Sequence, residues 1–318
     1  MKAAFLDFAT VGADELDLAT LRAALPDLEL YQATAVAEVG ERLAGCEVVL
    51  LNKVRLPRAV LQAATDLRFI GLTATGTDNI DLDCARQRGI AVCNIRGYCT
   101  QSVVEHVFGV LLNLTHNLAR FRQLVQQGAW ARSDEFCLLN FPIRELSALT
   151  LGVVGYGELG KGVARCGEFF GMDVLIAERP QAGEVREGRI AFEALLEKAD
   201  VLSLHCPLTP STRGLIGERE LATMKNSALL INTARGGLVD SAALVAALQK
   251  GEIAGAAIDV LPQEPPVAGD PLLDCAHPNL IVTPHIAWGT VEARQAGLDQ
   301  LAAAFLAFQR GERMNRVD

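Results

Sequence analysis

Short apolar runs alternate with stretches of helical periodicity through the first 100 residues of the chain. Strand-like runs lie at 2–7, 48–51, 69–73 and 90–93, and helical patterns lie at 14–25, 57–64 and 81–88. Turn-forming residues such as Gly76-Thr-Asp-Asn separate these elements. A regular alternation of strand and helix predicts βαβ units built around a parallel sheet.

The second part of the chain repeats this architecture after a long predicted helix. That helix begins near Gln101, because Ser102 and Glu105 form a capping-box pattern ahead of the apolar run 107–118. Strand-like runs then lie around Val153 and at 174–177, 201–205, 229–232, 255–260 and 280–282, before a terminal helix over 291–309. We therefore expect an α/β fold class with a second parallel sheet.

The length and composition of the chain are those of a globular protein with two domains. Its 318 residues exceed the ~100–200 typical of one domain, and 50% of them are hydrophobic. The net charge of -9 argues against nucleic acid and anionic membranes as partners. No stretch approaches the ~18 uninterrupted apolar residues of a transmembrane helix, and the first residues lack the apolar core of a signal peptide.

The eight cysteines and five histidines show neither a disulfide framework nor a metal-site pattern. The cysteines are scattered without a CxxC pair, so reduced thiols and a cytoplasmic location are expected. His106 and His116 are separated by ten positions on one predicted helix, and His205 and His277 lie elsewhere. This spacing predicts no metal ion.

A glycine-rich turn is the first feature that indicates chemistry. The apolar run 151–154 leads into Gly155, Gly157 and Gly160, and a helical pattern follows. In a GxGxxG turn the first glycine allows the tight bend, the second lets the backbone approach a pyrophosphate, and the third lets the helix pack on the strand. Glu178 lies 18 residues after Gly160, near the position of the acid that binds ribose. The pattern predicts a dinucleotide site.

The residues after this turn also bear on the choice of cofactor. The carboxylate of Glu178 would accept hydrogen bonds from the ribose hydroxyls and repel a 2′-phosphate, which favours NAD. Arg179 stands next to it and could instead bind that phosphate, or be a solvated loop charge. The sequence therefore favours NAD and leaves NADP open.

Three further loops each follow a strand-like run and carry Arg235, Glu264 and His285. Because α/β proteins bind ligands at the carboxyl ends of their strands, these loops are expected to converge. An arginine grips a carboxylate with a planar fork, and an imidazole exchanges protons near neutral pH. A glutamate on the second imidazole nitrogen would orient the ring and stabilise its protonated form.

Each of these residues also has a purely structural explanation. Arg235 could be a charge at a helix entry, Glu264 a solvated acid before two prolines, and His285 a packed histidine after Pro284. Their joint placement behind a dinucleotide motif favours catalysis. We therefore predict a nicotinamide-dependent oxidoreductase in which Arg235 binds the substrate and His285, supported by Glu264, exchanges the proton.

In these motifs the sequence resembles the D-isomer-specific 2-hydroxyacid dehydrogenase family. The resemblance covers essentially the whole chain and is carried by GYGELG (155–160), LSLHCPLT (202–209), LLINTARGGLVD (229–240), AAIDVLPQEPP (256–266), TPHIAW (283–288) and TATGTDNIDL (73–82). It implies two doubly wound parallel-sheet domains. A Rossmann-type NAD domain, residues 99–285, would be inserted into a flavodoxin-like substrate domain formed by residues 1–98 and 286–318.

The resemblance also implies roles for particular residues. Arg235 would bind the substrate carboxylate, His285 would act as acid and base, and Glu264 would be its partner. By position, the cofactor would be lined by Glu158, Leu159, Glu178, Cys206, Thr233 and Asp259, in addition to the glycines. The backbone at Thr75 and Gly76 would meet the substrate carboxylate. A homodimer is implied as well, with the segment 100–150 and its Trp130 as the partner face.

The substrate implied by the resemblance is a small 2-keto acid. Leu51-Asn-Lys-Val together with HIAW is most similar to the glycerate dehydrogenase/hydroxypyruvate reductase branch, so we expect hydroxypyruvate or glyoxylate to be reduced to D-glycerate or glycolate. Phosphoglycerate dehydrogenases usually carry an arginine-serine pair near the positions of Leu51 and Asn52. This chain lacks the pair, which disfavours a phosphorylated substrate. Lys53 and Arg55 leave that substrate open.

Two alternative functions share this scaffold. An NAD(H)-sensing binding protein of the corepressor type would keep the same three residues, although the acidic charge weighs against it. A phosphite or formate dehydrogenase would keep the fold and change the substrate. Formate enzymes usually have a glutamine at the position of Glu264, so the glutamate argues against them.

Overall fold

The structure, a computed structural model, describes residues 1–12, 15–180 and 182–318. The chain divides into two compact units, one formed by residues 1–99 with 289–318 and the other by residues 100–288. From the sequence, the domain boundaries were predicted after residues 98 and 285. The boundaries between the two units lie after residues 99 and 288, one and three residues away.

The first unit contains a five-stranded parallel sheet in the order β2-β1-β3-β4-β5. Its strands are β1 (Ala3–Phe5), β2 (Leu28–Leu30), β3 (Val48–Leu51), β4 (Phe69–Leu72) and β5 (Ala91–Cys93). Its helices are α1 (Ala19–Ala24), α2 (Val39–Leu43), α3 (Arg58–Ala63), α4 (Leu82–Gln87) and α11 (Val291–Gln309). This strand order is that of flavodoxin-like doubly wound domains.

Both faces of this sheet are covered, which explains why its strands are apolar throughout. Phe5 and Phe69 face α1 and α11, where the ring of Phe69 lies 5.5 Å from that of Phe305. On the other face, Leu51 and Ile70 pack against α2, α3 and α4. The first unit therefore needs the C-terminal helix to complete its core.

Four predicted strands of this unit are confirmed, and two short elements were not predicted. β2 has three residues with an exposed Glu29 at its centre, and α2 has five, so neither gave a periodic signal. The predicted helix over 14–25 is present as α1 from Ala19, and Asp14 lies outside the described residues.

The second unit contains a six-stranded parallel sheet in the order β11-β10-β9-β8-β6-β7. Its strands are β6 (Thr150–Val154), β7 (Asp173–Ile176), β8 (Val201–Leu204), β9 (Leu229–Asn232), β10 (Gly255–Ile258) and β11 (Leu280–Val282). Its helices are α5 (Thr100–His116), α6 (Leu118–Gln126), α7 (Glu158–Phe169), α8 (Phe192–Lys198), α9 (Glu218–Thr223) and α10 (Ser241–Lys250).

A parallel bridge between Ala177 and Ile190 extends the second sheet beyond β7. With this bridge counted as a short third strand, the bridge, β7, β6, β8, β9 and β10 follow the Rossmann-type order 3-2-1-4-5-6, and β11 adds a seventh strand beside β10. The strand order reverses between β6 and β8, and ligands of such sheets bind outside the carboxyl ends of the strands at that point.

The predicted capping box at the start of α5 is wrong. The helix begins at Thr100, so Ser102 lies inside it, where its buried Oγ donates to the carbonyl oxygen of Ala287 at 2.7 Å. Glu105 accepts from Gln101 one helical turn earlier, at 2.8 Å. Both side chains serve contacts that the local pattern does not reveal.

Within residues 1–12, 15–180 and 182–318, none of the helices combines the length and the apolar character needed to cross a membrane. The same part of the chain holds no group of three or more His, Cys, Asp or Glu side chains placed to bind a metal ion.

Candidate active site

The glycine-rich turn joins the buried strand β6 to α7 through two close main-chain contacts. Gly155 has a φ of 96°, and a Cβ there would lie 2.5 Å from the backbone nitrogen of Cys206, just beyond β8. A Cβ on Gly160 would lie 2.0 Å from the carbonyl oxygen of Gly155. No other residue type fits these two positions, because the turn, the helix and the neighbouring strand end are in contact.

The space beside this turn fits the pyrophosphate of a dinucleotide. A Cβ on Gly157 would meet no atom within 4 Å, so the main chain there is open to a ligand. The next residue begins the twelve-residue helix α7, whose first N–H groups attract an anion. Two buried polar atoms at neighbouring strand ends, His205 Nδ1 and Thr233 Oγ1, have no hydrogen-bond partner among the described residues. A ligand at this edge could satisfy them.

Glu158 and Leu159, both predicted to line the cofactor, form the first turn of α7, and their contact with it stays a prediction. The carboxylate of Glu158 already accepts a hydrogen bond from the hydroxyl of Thr100 at 2.7 Å. A ligand at the turn would therefore meet the main chain of Glu158. Cys206, also predicted at the cofactor, lies with its backbone against Gly155, and burial raises the pKa of its thiol.

Glu178 follows β7, and its carboxylate is buried. Its oxygens accept from the backbone nitrogen of Arg179 at 2.8 Å and from Arg186 Nε at 2.6 Å. The second guanidinium nitrogen of Arg186 pairs with Glu178 Oε1. The hydrogen bonds from Arg186 and then from Arg179 hold the pKa of this carboxyl well below its usual range. The sequence singled out Arg179, but the side chain on the acid is that of Arg186.

Glu264 and His285 are brought together as predicted. Glu264 Oε2 lies 2.5 Å from His285 Nδ1, and Glu264 Oε1 accepts from the backbone nitrogen of Leu261 at 2.8 Å. Both side chains line a mainly apolar cavity of about 410 Å³. A carboxylate held in this way orients the imidazole and directs its Nδ1 toward Glu264.

His285 itself adopts a left-handed backbone conformation, with a φ of 56°. Non-glycine residues seldom do so, and such strain is found at functional sites. The backbone nitrogen of His285 donates to the carbonyl oxygen of Asp259 at 2.8 Å, and Trp288 Nε1 donates to the carbonyl oxygen of His285 at 2.9 Å. These bonds fix the turn on both sides.

Asp259 organises the same loop with its buried carboxylate. Oδ1 accepts from the hydroxyl of Thr283 at 2.5 Å and from the nitrogen of Ile286 at 2.9 Å, and Oδ2 accepts from the nitrogen of Ala287 at 2.9 Å. His106 lies beside this group, with Nε2 3.9 Å from Asp259 Oδ1. The structure thus shows Asp259 holding the loop of His285, while its predicted cofactor contact stays a prediction.

Arg235 lies exposed on the loop after β9. The buried side chain of Asn232 shapes this loop, donating to the carbonyl oxygen of Arg235 at 2.9 Å and accepting from the nitrogen of Ala234 at 3.0 Å. A Cβ on Gly236 would lie 1.9 Å from the carbonyl carbon of Leu261. The loop of Arg235 therefore packs directly against the loop that leads to Glu264.

Asn232, Gly236 and Arg186 were not singled out from the sequence. Asn232 and Gly236 lie in the motif 229–240, from which only Thr233 and Arg235 were given roles. The signal that could have found them was a polar residue at a strand end and a glycine directly after the arginine. Arg186 had no signal beyond its charge.

Thr75 and Gly76 lie in the first unit, just beyond the carboxyl end of β4. The hydroxyl of Thr75 donates to the carbonyl oxygen of Ile95 at 3.0 Å, and Asn94 Nδ2 donates to the carbonyl oxygen of Thr75 at 2.7 Å. These bonds fix the turn, and its contact with a substrate stays a prediction.

Comparison with known proteins places these features in a family context. The profile described as D-isomer specific 2-hydroxyacid dehydrogenase, NAD binding domain, matches residues 108–287. The matched range contains the glycine-rich turn and all three of Arg235, Glu264 and His285.

Two related sequences and one crystal structure illustrate the similarity. The chain is 44% identical over 290 residues to the glycerate dehydrogenase of Methylorubrum extorquens, covering 91% of each chain. It is 33% identical to the hydroxypyruvate reductase of Blautia hydrogenotrophica, covering 100% of both. D-lactate dehydrogenase from Aquifex aeolicus, solved with NAD and lactic acid, superposes with a TM-score of 0.81 at 32% identity, covering 98% of this chain and 96% of that one.

Proposed function

The chain belongs to the D-isomer-specific 2-hydroxyacid dehydrogenase family, and from this premise we propose that it transfers a hydride between NAD(P)H and a small 2-keto acid. Hydroxypyruvate and glyoxylate are the substrates favoured, with D-glycerate and glycolate as products. The names of the relatives from Methylorubrum extorquens and Blautia hydrogenotrophica support this choice. The observation that carries the proposal is the 2.5 Å contact between His285 and Glu264 in the cavity of the NAD-binding unit.

Proton transfer is the task of His285. Its Nδ1 is engaged by Glu264, which leaves Nε2 to exchange a proton with the substrate. In the direction of reduction, the protonated imidazole donates from Nε2 to the carbonyl oxygen as the carbonyl carbon gains the hydride. The C=O double bond becomes a C–O single bond, and the product carries the new hydroxyl. Glu264 stabilises the ring while it is protonated.

Substrate binding is the task of Arg235. Its exposed guanidinium can hold a carboxylate in a bidentate arrangement and polarise the neighbouring carbonyl. The main chain at Thr75 and Gly76 would supply N–H donors to the same carboxylate. A cation and an imidazole that act on adjacent carbons suit a 2-keto acid, whose carboxylate and carbonyl are neighbours.

The coenzyme would be held at the carboxyl edge of the second sheet. When bound, NAD(P)H supplies the hydride. The open main chain at Gly157 and the first turn of α7, with Glu158 and Leu159, would hold the pyrophosphate. The remaining contacts are proposed for Glu178, Cys206, Thr233 and Asp259.

Steady-state kinetics with hydroxypyruvate, glyoxylate, pyruvate and bulkier keto acids test this proposal, with NADH and NADPH in parallel. We expect the highest kcat/KM for hydroxypyruvate or glyoxylate. Tight nucleotide binding without turnover of any keto acid would contradict the proposal and favour an NAD(H)-sensing protein.

We further propose that the chain forms a homodimer through the segment 117–145 of the second unit. Apolar side chains there are exposed to an unusual degree: Leu118, Val125, Trp130, Phe136, Leu139 and Ile143. Phe136 is 88% exposed and Leu139 is 77% exposed. A patch of this kind on one segment marks a protein interface, and a second copy is the occupant that family resemblance favours.

Light scattering after size-exclusion chromatography tests the dimer. Phe136→Asp combined with Leu139→Asp should shift the mass from two chains to one. Phe169→Asp, which alters an 86% exposed ring on α7, is the matched control and should leave the mass unchanged. A wild-type protein that elutes as a monomer would contradict the proposal.

A cytoplasmic location is proposed on the chemistry of the cysteines. Seven of the cysteines in the described part of the chain are free thiols, and three of these, Cys46, Cys84 and Cys93, are buried. Reduced thiols in this number are typical of cytoplasmic proteins.

A further inference from the structure

The ion pair between Glu178 and Arg186 bears on which coenzyme this protein accepts. Glu178 accepts from the backbone nitrogens of Arg179, at 2.8 Å, and Arg186, at 3.2 Å. The guanidinium of Arg186 adds two more bonds, one to each carboxylate oxygen. A carboxylate offers about four acceptor positions, so this one is filled by the chain itself.

A ribose bound at Glu178 would therefore have to replace the Arg186 side chain. The two backbone donors are fixed by the loop, whereas the Arg186 side chain is 54% exposed and free to turn away. Its neighbour Arg189 is only 20% exposed, and its Nη1 donates to the carbonyl oxygen of Ala177 at 3.2 Å. Of these two arginines, Arg186 is the one placed to leave.

The exchange costs more for NADH than for NADPH. NADH offers neutral hydroxyls in place of a charge-assisted bidentate pair, and such pairs are roughly twice as strong as neutral hydrogen bonds. NADPH carries a 2′-phosphate on the same ribose, which gives the displaced guanidinium an anionic partner of matching geometry. A guanidinium bound to the phosphate also neutralises charge that would otherwise repel the carboxylate of Glu178.

We propose that Arg186 sets the coenzyme preference: it covers Glu178 in the free protein and pairs with the 2′-phosphate when NADPH binds. The preference for NADH that Glu178 alone would impose is thereby largely removed. This inference rests on the proposed function, since it concerns the coenzyme of that reaction.

Equilibrium binding of NADH and NADPH to the full chain, by fluorescence titration, tests the inference without relying on turnover. The wild-type protein should bind both with dissociation constants within about tenfold of each other. Arg186→Ala should tighten NADH and weaken NADPH, changing the ratio of the two constants by roughly tenfold or more in favour of NADH. Adenosine 2′,5′-bisphosphate carries the 2′-phosphate without nicotinamide. Its affinity for Arg186→Ala should decrease in parallel with that of NADPH.

Arg219→Ala is the matched control, because Arg219 makes a similar two-bond pair with Glu220 on α9 in the same unit. It should leave both dissociation constants unchanged. Arg186→Lys keeps the charge but loses the fork, so it should fall between wild type and Arg186→Ala. If thermal denaturation shows that Arg186→Ala is not folded, the titrations with Arg186→Lys replace those with the alanine variant.

An unchanged ratio of NADH to NADPH affinity in the Arg186 variants would overturn the inference and leave the proposed function intact. Failure of the wild-type protein to bind either nucleotide would instead contradict the proposed function, and the inference with it.

Discussion

His285 shows how much structure one side chain requires. Its φ of 56° is unfavourable for a residue with a Cβ, and the surrounding hydrogen bonds over-determine it. In this conformation, Nδ1 of the imidazole lies 2.5 Å from the carboxylate of Glu264, and both side chains line a mainly apolar cavity. The ring is oriented before any substrate arrives, which is the condition for efficient proton transfer.

Gly236 is the residue on which the contact between two site loops depends. We expect Gly236→Ala to destabilise the fold by about 1–3 kcal/mol, because its Cβ would lie 1.9 Å from the carbonyl carbon of Leu261 and force the main chains apart. Activity should fall with it, since Leu261 leads to Glu264. Urea unfolding and steady-state kinetics measure the two effects.

Gly237→Ala provides the control for this prediction. Its Cβ would lie 2.9 Å from Leu208 Cδ2, the end of a side chain that can move. Equal stability and activity of the two alanine variants would show that the contact at Gly236 is not required.

At the scale of elements, the loop 283–288 is held from three directions. The buried carboxylate of Asp259, just after β10, accepts from the backbone nitrogen of Ala287. The hydroxyl of Ser102, near the start of α5, donates to the carbonyl oxygen of Ala287. Within the loop, Trp288 donates to the carbonyl oxygen of His285. The loop has little secondary structure of its own, so its shape depends on these contacts.

Asp259→Asn should weaken this arrangement. The substitution replaces one carboxylate oxygen with an NH2 group, which cannot accept from the N–H of Ala287. A buried donor left without its acceptor costs about 1–3 kcal/mol. The free energy of unfolding and kcat should both decrease, measured by urea denaturation and initial rates.

Asp240→Asn is the matched substitution at the N-cap of α10. There a single oxygen, Oδ1, accepts from Ala242 and Ala243, and asparagine caps helices as well as aspartate does. If both variants were as stable and as active as the wild type, the loop of His285 would not depend on Asp259.

The strands and long helices of both units could be predicted, because buried parallel strands and amphipathic helices leave a local pattern. Gly155, Gly160, Glu264 and His285 could be placed at strand ends for the same reason. The roles of Ser102 and Arg186 could not. Ser102 bonds to Ala287 across 185 positions of sequence, and Arg186 reaches Glu178 from a segment without periodicity.

At the scale of the whole molecule, each unit builds its own doubly wound sheet and core. Stability therefore depends on groups packed inside each unit, and one of them, the imidazole of His205 just beyond β8, titrates. Burial lowers the pKa of His205 to about 4, and its Nδ1 has no hydrogen-bond partner among the described residues. Its Nε2 lies 2.8 Å from the hydroxyl of Ser203.

His205 should make the fold sensitive to acid. Between about pH 6.5 and 4 the unfolded chain takes up a proton at this ring that the folded chain does not, so the free energy of unfolding falls as the pH falls. The loss is at most about 3 kcal/mol and is absent above pH ~6.5. Urea unfolding at several pH values should show a smaller loss in His205→Gln. Parallel pH dependence of the two proteins would refute this role.

The account depends most on proton transfer by His285, and His285→Asn tests it most directly. Asparagine tolerates the left-handed conformation, so the loop should keep its shape while the acid and base is removed. With NADH and hydroxypyruvate, kcat should fall by about 10²–10⁴, with the dissociation constant for NADH unchanged. A variant that binds NADH normally and retains wild-type kcat on the keto acids that the wild type reduces would contradict the assignment.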